Sequence, residues 1–193
     1  DRSKMPHLAN LDPELLKRVA SLDPGNAYGV PFYWGTIGIG YNVEQIKKRI
    51  PDAPIGSWDL LFKPEYAAKL KDCGISMLDS PSDVIEVALK YLGKSPYSDK
   101  KADIEAAQKM LLAVRPYVKY FHSSRYIDDL ANGEICLALG WSGDVLQASS
   151  RATEAGKGIT IKYNIPKEGA VMFFDSFAIP ADASHVKNAH LFI

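Results

Sequence analysis

The sequence predicts an α/β protein. Strands and helices alternate along most of its length, and the strands read as short apolar runs bounded by turn residues. That succession implies a parallel sheet with helices on its faces. The sheet is expected to be split: residues from about 34 to 154 read as one compact α/β lobe, and the flanking parts as belonging to another. We assign residues 1–33 to part of a first lobe, 34–154 to a second, and 155–193 to a truncated return to the first. Crossings at about Tyr33–Gly35 and near Gly156–Gly158 would suit a two-lobed clamp with a hinge.

The elements follow from local chemistry. Asp12 with Pro13 behind it is a helix start, and the helix should run to about Ala20. Asp23-Pro24-Gly25-Asn26 is a turn. Tyr28 to Trp34 is extended and aromatic, with Pro31 arguing against a central strand. Gly35-Thr36-Ile37-Gly38-Ile39-Gly40-Tyr41-Asn42 is β-rich, with glycines where backbone must approach something closely, and it lacks the dinucleotide-binding spacing. Short helices are expected over Val43–Ile50, from a Ser57 cap through Leu61, and over Pro64–Leu70. Ile75–Leu78 is a strand. Helices should follow from Asp79–Asp83 to about Leu92 and over Asp99–Val114, the second stopped by Arg115-Pro116. Val118–Phe121 is a strand, Tyr126–Ala131 a short helix, and Ile135–Leu139 a buried strand leading to a helix from Val145. Ile159–Ile165 alternates as a strand, Pro166–Ala170 turns, and Phe173–Ile179 is the last strand. A C-terminal amphipathic helix ends on Leu191-Phe192-Ile193 without a cap, so the protein is expected to continue beyond both ends of this chain.

Composition excludes several classes. With 23 Lys and Arg against 23 Asp and Glu, there is no electrostatic case for nucleic acid or for an anionic membrane surface. No apolar run approaches a membrane span, and these residues hold no signal-peptide pattern, so the chain is expected to be either cytosolic or a mature or trimmed form. The four histidines and two cysteines show no metal-ligand spacing, so neither a metal nor another cofactor is expected. Cys73 and Cys136 fit either a disulfide or two buried thiols, and a bridge would place the protein outside the cytosol.

Four places could carry chemistry. Gly140-Trp141-Ser142-Gly143-Asp144 sets an indole and a carboxylate three residues apart on a strand-to-helix turn. Ligands of open α/β sheets collect at such strand ends. An indole face attracts an organic cation and a carboxylate pairs with it, so the turn reads as half a cage for an ammonium group. The alternative is a core Trp141 and an Asp144 helix cap. Phe173-Phe174-Asp175 places Asp175 on one strand face with Phe173; it would hold a cation or else point to solvent from a sheet edge. Asp83 falls in the first turn of a helix, as a ligand acid or as an acid favoured by the helix dipole. Ser123 follows a strand end and could offer a hydroxyl to a ligand or cap a helix.

Catalytic readings are weak. His122 and Ser123 are adjacent and do not face each other, and no nucleophile elbow, zinc-protease motif or phosphate loop is present. No catalytic residue is assigned. A hydrolase using Asp144 and Asp175 as a carboxylate pair is the remaining enzymatic alternative.

Several segments together resemble the periplasmic polyamine-binding proteins, receptors of putrescine and spermidine ABC importers. They are Tyr33–Asn42, Ser57-Trp58-Asp59-Leu60, Tyr120–Ser124, Ile127–Glu134, Gly140–Asp144 and Ile165–Ala170. The likeness covers the whole chain, is nearest the putrescine-receptor branch, and corresponds to the middle of a family chain. It implies a periplasmic binding protein-like (type II) two-lobed fold with hinge crossovers, present here incompletely. It also implies a periplasmic, non-enzymatic monomer that binds a polyamine, meets a membrane permease without inserting in the bilayer, and uses no cofactor. Carried over by position, Trp141 would stack on the ligand's alkyl chain and ammonium, and Asp144 would pair with one ammonium end. Asp175, with Phe173 beside it, would hold the other. Asp83 stands where the family usually has a longer Glu that senses the amine, Ser123 matches a cleft-lining position, and Cys73 and Cys136 match a disulfide pair. A same-fold receptor for another organic cation or an amino acid is the alternative function.

Overall fold

The computed structural model describes residues 2–193. Asp1, the first residue of the expected 1–33 segment, lies outside them. The chain divides into two compact units, one made of residues up to Gly35 together with Met172–Ile193, the other of Thr36–Val171.

In the smaller unit, helix α1 spans Pro13–Val19. The Asp12 carboxylate caps it by accepting hydrogen bonds from the Glu14 and Leu15 amides at 2.7 and 3.2 Å. The Asp23 turn closes in the same way, its carboxylate accepting the amides of Ala27, Tyr28 and Gly29 at 2.9 Å each. Strand β1 begins at Val30 and runs unbroken to Asn42, so Pro31 sits near its start rather than ending it.

The larger unit takes over along β1. Its helices are α2 (Val43–Arg49), α3 (Asp59–Phe62), α4 (Pro64–Leu70), and, after strand β2 (Ile75–Met77), α5 (Pro81–Tyr91) and α6 (Lys101–Val114). Strand β3 (Tyr120–Phe121), helix α7 (Arg125–Asn132), strand β4 (Leu137–Trp141), helix α8 (Ser142–Glu154) and strand β5 (Ile161–Asn164) follow. Strand β6 (Val171–Phe177) and helix α9 (Val186–Phe192) complete the chain. In the smaller unit the Phe177 ring lies 4.3 Å from that of Phe32 and 5.6 Å from that of Phe192, centroid to centroid.

The sheet order is β3-β2-β4-β1-β5, with β6 also paired to β1. β2 is parallel to β3 and β4, but β1 is antiparallel to both β4 and β5. The sheet is therefore mixed, which corrects the expected parallel sheet. Alternation of elements counts strands without setting their direction. The chain reaches β1 at the edge where β4 stops, Ile37 opposite Trp141, so β1 must run back across the sheet. β5 pairs with β1 from Ile39↔Asn164 to Asn42↔Ile161, which holds residues 155–171 with the larger unit rather than with the return segment where the sequence reading has them.

β4 is buried on both faces, its Leu137, Ala138 and Leu139 fully enclosed with Ile37 and Ile39 beside them. Such a two-sided strand reads as a continuous apolar run, which is how the sequence revealed it. The glycines of β1 and β4 answer close approaches: a Cβ at Gly38 would come 2.4 Å from the Tyr163 hydroxyl, and one at Gly140 would come 2.6 Å from the Tyr126 ring.

Ser57 does not cap a helix in the expected way. Residue Trp58 holds the cap position of α3, while Ser57 Oγ donates to Glu168 Oε1 at 2.5 Å and accepts from the Asp59 amide at 3.1 Å. The buried Trp58 indole donates to the Gly169 carbonyl at 2.9 Å. This pair of contacts pins the turn after β5 to α3, a long-range partnership that local propensity does not encode.

Cys73 and Cys136 form a disulfide across a sequence separation of 63. Loop-closure entropy assigns such a bridge about 4 kcal/mol. Reduction with dithiothreitol should lower the unfolding free energy by about that amount, read from urea transitions of oxidised and reduced protein. Coincident transitions would contradict it.

Candidate functional site

β2, β3 and β4 run in one direction, so their carboxyl ends share one edge of the sheet. Asp83 follows β2, Ser123 follows β3, and Trp141 and Asp144 close β4 and open α8. This is the edge at which open α/β sheets bind ligands. β1 starts its run through the larger unit, and β5 ends, at the same edge.

Trp141 is half-buried, which removes the core alternative. Its indole Nε1 donates to Asp83 Oδ2 at 3.1 Å. Asp144 is half-buried at the third position of α8, whose cap position belongs to Trp141, so the helix-cap alternative also falls. Asp144 Oδ2 accepts the hydroxyl of Tyr126 at 2.8 Å, and the same hydroxyl accepts the Trp141 amide at 3.1 Å. Burial, and then the Asp144 carboxylate, push the Tyr126 phenol far above its ordinary range, so it stays protonated.

The turn is braced from β1 as well. Ser142 Oγ accepts the Thr36 amide at 3.2 Å. Thr36 in turn shares a 2.7 Å hydroxyl contact with Tyr163, whose phenol is pushed up to about 12 by burial. Trp141 is thus held by its neighbours in sequence, by α5 and by α7.

Ser123 is not the cap of α7. Ser124 holds that position, and His122 Nδ1 accepts the amides of Ser124 and Arg125 at 3.1 Å each. Ser123 Oγ is buried and has no hydrogen-bond partner among the described residues. A buried hydroxyl without a partner is costly unless something else satisfies it, which suits a ligand-facing role.

Phe173 and Asp175 alternate on β6, which enters the smaller unit at Met172; Phe173 is half-buried and Asp175 exposed. The structure therefore brings together Trp141, Asp83 and Asp144 within the larger unit, with Ser123 at the same strand edge. It describes Asp175 within the other unit.

Two residues were missed by the sequence reading. Tyr126 registered only as the start of a short helix, and its partners lie 15 and 18 positions away. Glu86 is half-buried one turn beyond Asp83 on α5. Burial, and then the charge of Asp83, hold its carboxyl above the usual carboxylate range.

The chain has recognisable relatives. Residues 3–193 match the family of bacterial extracellular solute-binding proteins. The chain is 53% identical over its whole length to the putrescine-binding periplasmic protein SpuD of Pseudomonas aeruginosa, and 54% identical to the putrescine-binding periplasmic protein PotF of Escherichia coli. It spans about half the length of these curated relatives, 53% in both cases. Among solved structures it superposes on the spermidine/putrescine ABC transporter substrate-binding protein PotD of Streptococcus pneumoniae with a TM-score of 0.77 at 26% identity, covering all of this chain and 54% of that one.

The raised Glu86 carboxyl has a consequence for stability. Its native form binds a proton more tightly than the unfolded chain does, so its contribution is full below the ordinary glutamate range and is lost as pH rises through the raised native value. Glu86→Gln should remove that loss. Urea unfolding from pH 4 to pH 7 should show the variant gaining on the wild type as pH rises; a constant difference would refute the assignment.

Proposed function

This chain belongs to the bacterial extracellular solute-binding proteins, and from that premise we propose that the full protein captures a polyamine, putrescine first, and delivers it to an ABC transporter. The observation that carries the reading is the Trp141–Asp144 pair at the strand edge, with Asp144 oriented by a neutral phenol. Its setting is periplasmic, as for the relatives, and the Cys73–Cys136 bridge suits that oxidising compartment. The relatives are binding proteins, and no catalytic step is assigned here.

A diamine has two full charges joined by an apolar chain. Its recognition needs an acid for each end and an aromatic face between them. Asp144 takes one ammonium, and the Trp141 indole lies along the methylenes. The sequence resemblance assigns the second ammonium to Asp175 with Phe173 beside it, and a further contact to Ser123. Asp83 has a different part from the family Glu: it holds the indole by its Nε1 and adds negative potential without having to touch the amine. The protein acts as a monomer toward its ligand and its membrane permease.

Truncating one partner of a desolvated charge pair costs about 2–5 kcal/mol. In the full-length protein, Trp141→Ala, Asp144→Asn and Asp175→Asn should each weaken putrescine binding at least about tenfold by calorimetry. Spermidine, cadaverine and arginine serve as competing ligands, and a preference for arginine would favour the amino-acid alternative. Unchanged putrescine affinity in all three variants would sink the site.

Asp83 can be tested separately. Asp83→Asn retains an oxygen for the indole N–H and loses only the charge, so it should cost less affinity than Asp83→Ala, which also loses the hydrogen bond, worth about 1.5–3 kcal/mol to a charged acceptor. Equal losses in both would mean that its charge meets the amine directly.

A further inference from the structure

Tyr126 is wholly buried, its ring packed under Gly140. A phenol has one proton to give and can accept in return. The Trp141 amide can only donate and an ionised Asp144 can only accept, so the direction of both bonds is fixed. The phenolic proton goes to Asp144 Oδ2, at 2.8 Å, and the phenolic oxygen receives the Trp141 N–H, at 3.1 Å.

We propose that Tyr126 is the positioning residue of the ammonium site, committing Oδ2 of Asp144 and presenting Oδ1 to the ligand beside Trp141. The inference rests on the reading that Asp144 pairs with an ammonium group. One hydroxyl locks the carboxylate and the backbone of the indole residue to each other, so the two ligand groups keep a fixed relation before the ligand arrives. Preorganisation of this kind strengthens binding by removing the cost of ordering on capture.

The helix that carries Tyr126 is itself tied down. On α7, Asp129 accepts the Tyr120 hydroxyl at 2.7 Å and Arg125 Nε at 3.1 Å, and the Arg125 guanidinium lies 4.9 Å from the Tyr120 ring centroid. His122 Nδ1 closes its first turn, and Gly133 ends it in the left-handed conformation at φ 76°. The donor therefore stands on a rigid support.

A double-mutant cycle in the full-length protein tests this, with putrescine as the calorimetric probe of wild type, Tyr126→Phe, Asp144→Asn and the pair. Tyr126→Phe retains the ring and should weaken binding about tenfold. Added to Asp144→Asn it should change affinity less than about twofold, since a residue acting through Asp144 has nothing left to position. An equal loss in both backgrounds, or wild-type affinity in Tyr126→Phe, overturns the inference. Wild-type affinity in Asp144→Asn overturns the underlying site reading, and this inference with it. A readout that needs no variant is proton NMR of the wild type. The Tyr126 hydroxyl proton should exchange slowly and shift on putrescine addition, and a hydroxyl resonance indifferent to putrescine counts against the role.

Discussion

A single phenolic proton organises the candidate ligand edge of the larger unit. It runs from Tyr126 to Asp144, and the oxygen that carries it receives the backbone of Trp141. The physical interest lies in the donor being neutral. A lysine or arginine in that place would orient the carboxylate and also cancel its charge. A phenol orients it and leaves the charge intact. The same logic governs Asp83, which is held by an indole N–H, another neutral donor. Both acids are thereby fixed in direction by donors that carry no charge, which is what the proposed ammonium site calls for.

The surrounding architecture serves that arrangement. Three parallel strand ends deliver Asp83, Ser123 and the Trp141–Asp144 turn to one edge, and antiparallel β1 brings Thr36 to the same place to bond Ser142. The approach of Tyr126 to β4 needs a residue without a Cβ at position 140. Gly140 is therefore a requirement of the proposed ammonium site as much as a strand feature. A methyl group there would push the ring back, and the hydroxyl would leave both partners together. Packing, backbone geometry and ligand chemistry meet in one residue.

Much of this could be read from the sequence, and what escaped it did so for a common reason. The cap of α1 by Asp12, Pro64 at the start of α4, and the two-sided strand before Trp141 depend on neighbours within a few residues, and each was legible. The indole and acid of the 140–144 turn were legible too, because type and spacing alone suggest a cation site. Strand direction was not, since it depends on where the chain meets the sheet. The Ser57–Glu168 contact spans 111 positions and the Trp141–Asp83 bond 58, so no local pattern announces either. Tyr126 was read as a helix start because its hydroxyl's partners become neighbours only after α7 packs on β4. The Cys73–Cys136 pairing sat between these cases: chemistry allowed it, and the family likeness selected it.

The neighbouring acids of α5 also carry a cost in stability. Glu86 lies near Asp83 on α5, and its carboxyl is held above the ordinary range by burial and then by that neighbour's charge. In the unliganded protein such an arrangement is a standing cost, which grows as pH rises and Glu86 ionises. A cation placed near Asp83 reverses the sign, because it favours the ionised form that burial opposes. A fold selected for rigidity alone would have no use for two half-buried acids on one helix face. On the proposed function, Asp83 and Asp144 would be kept for the negative charge they offer a cationic ligand, at the cost in stability that Glu86 registers.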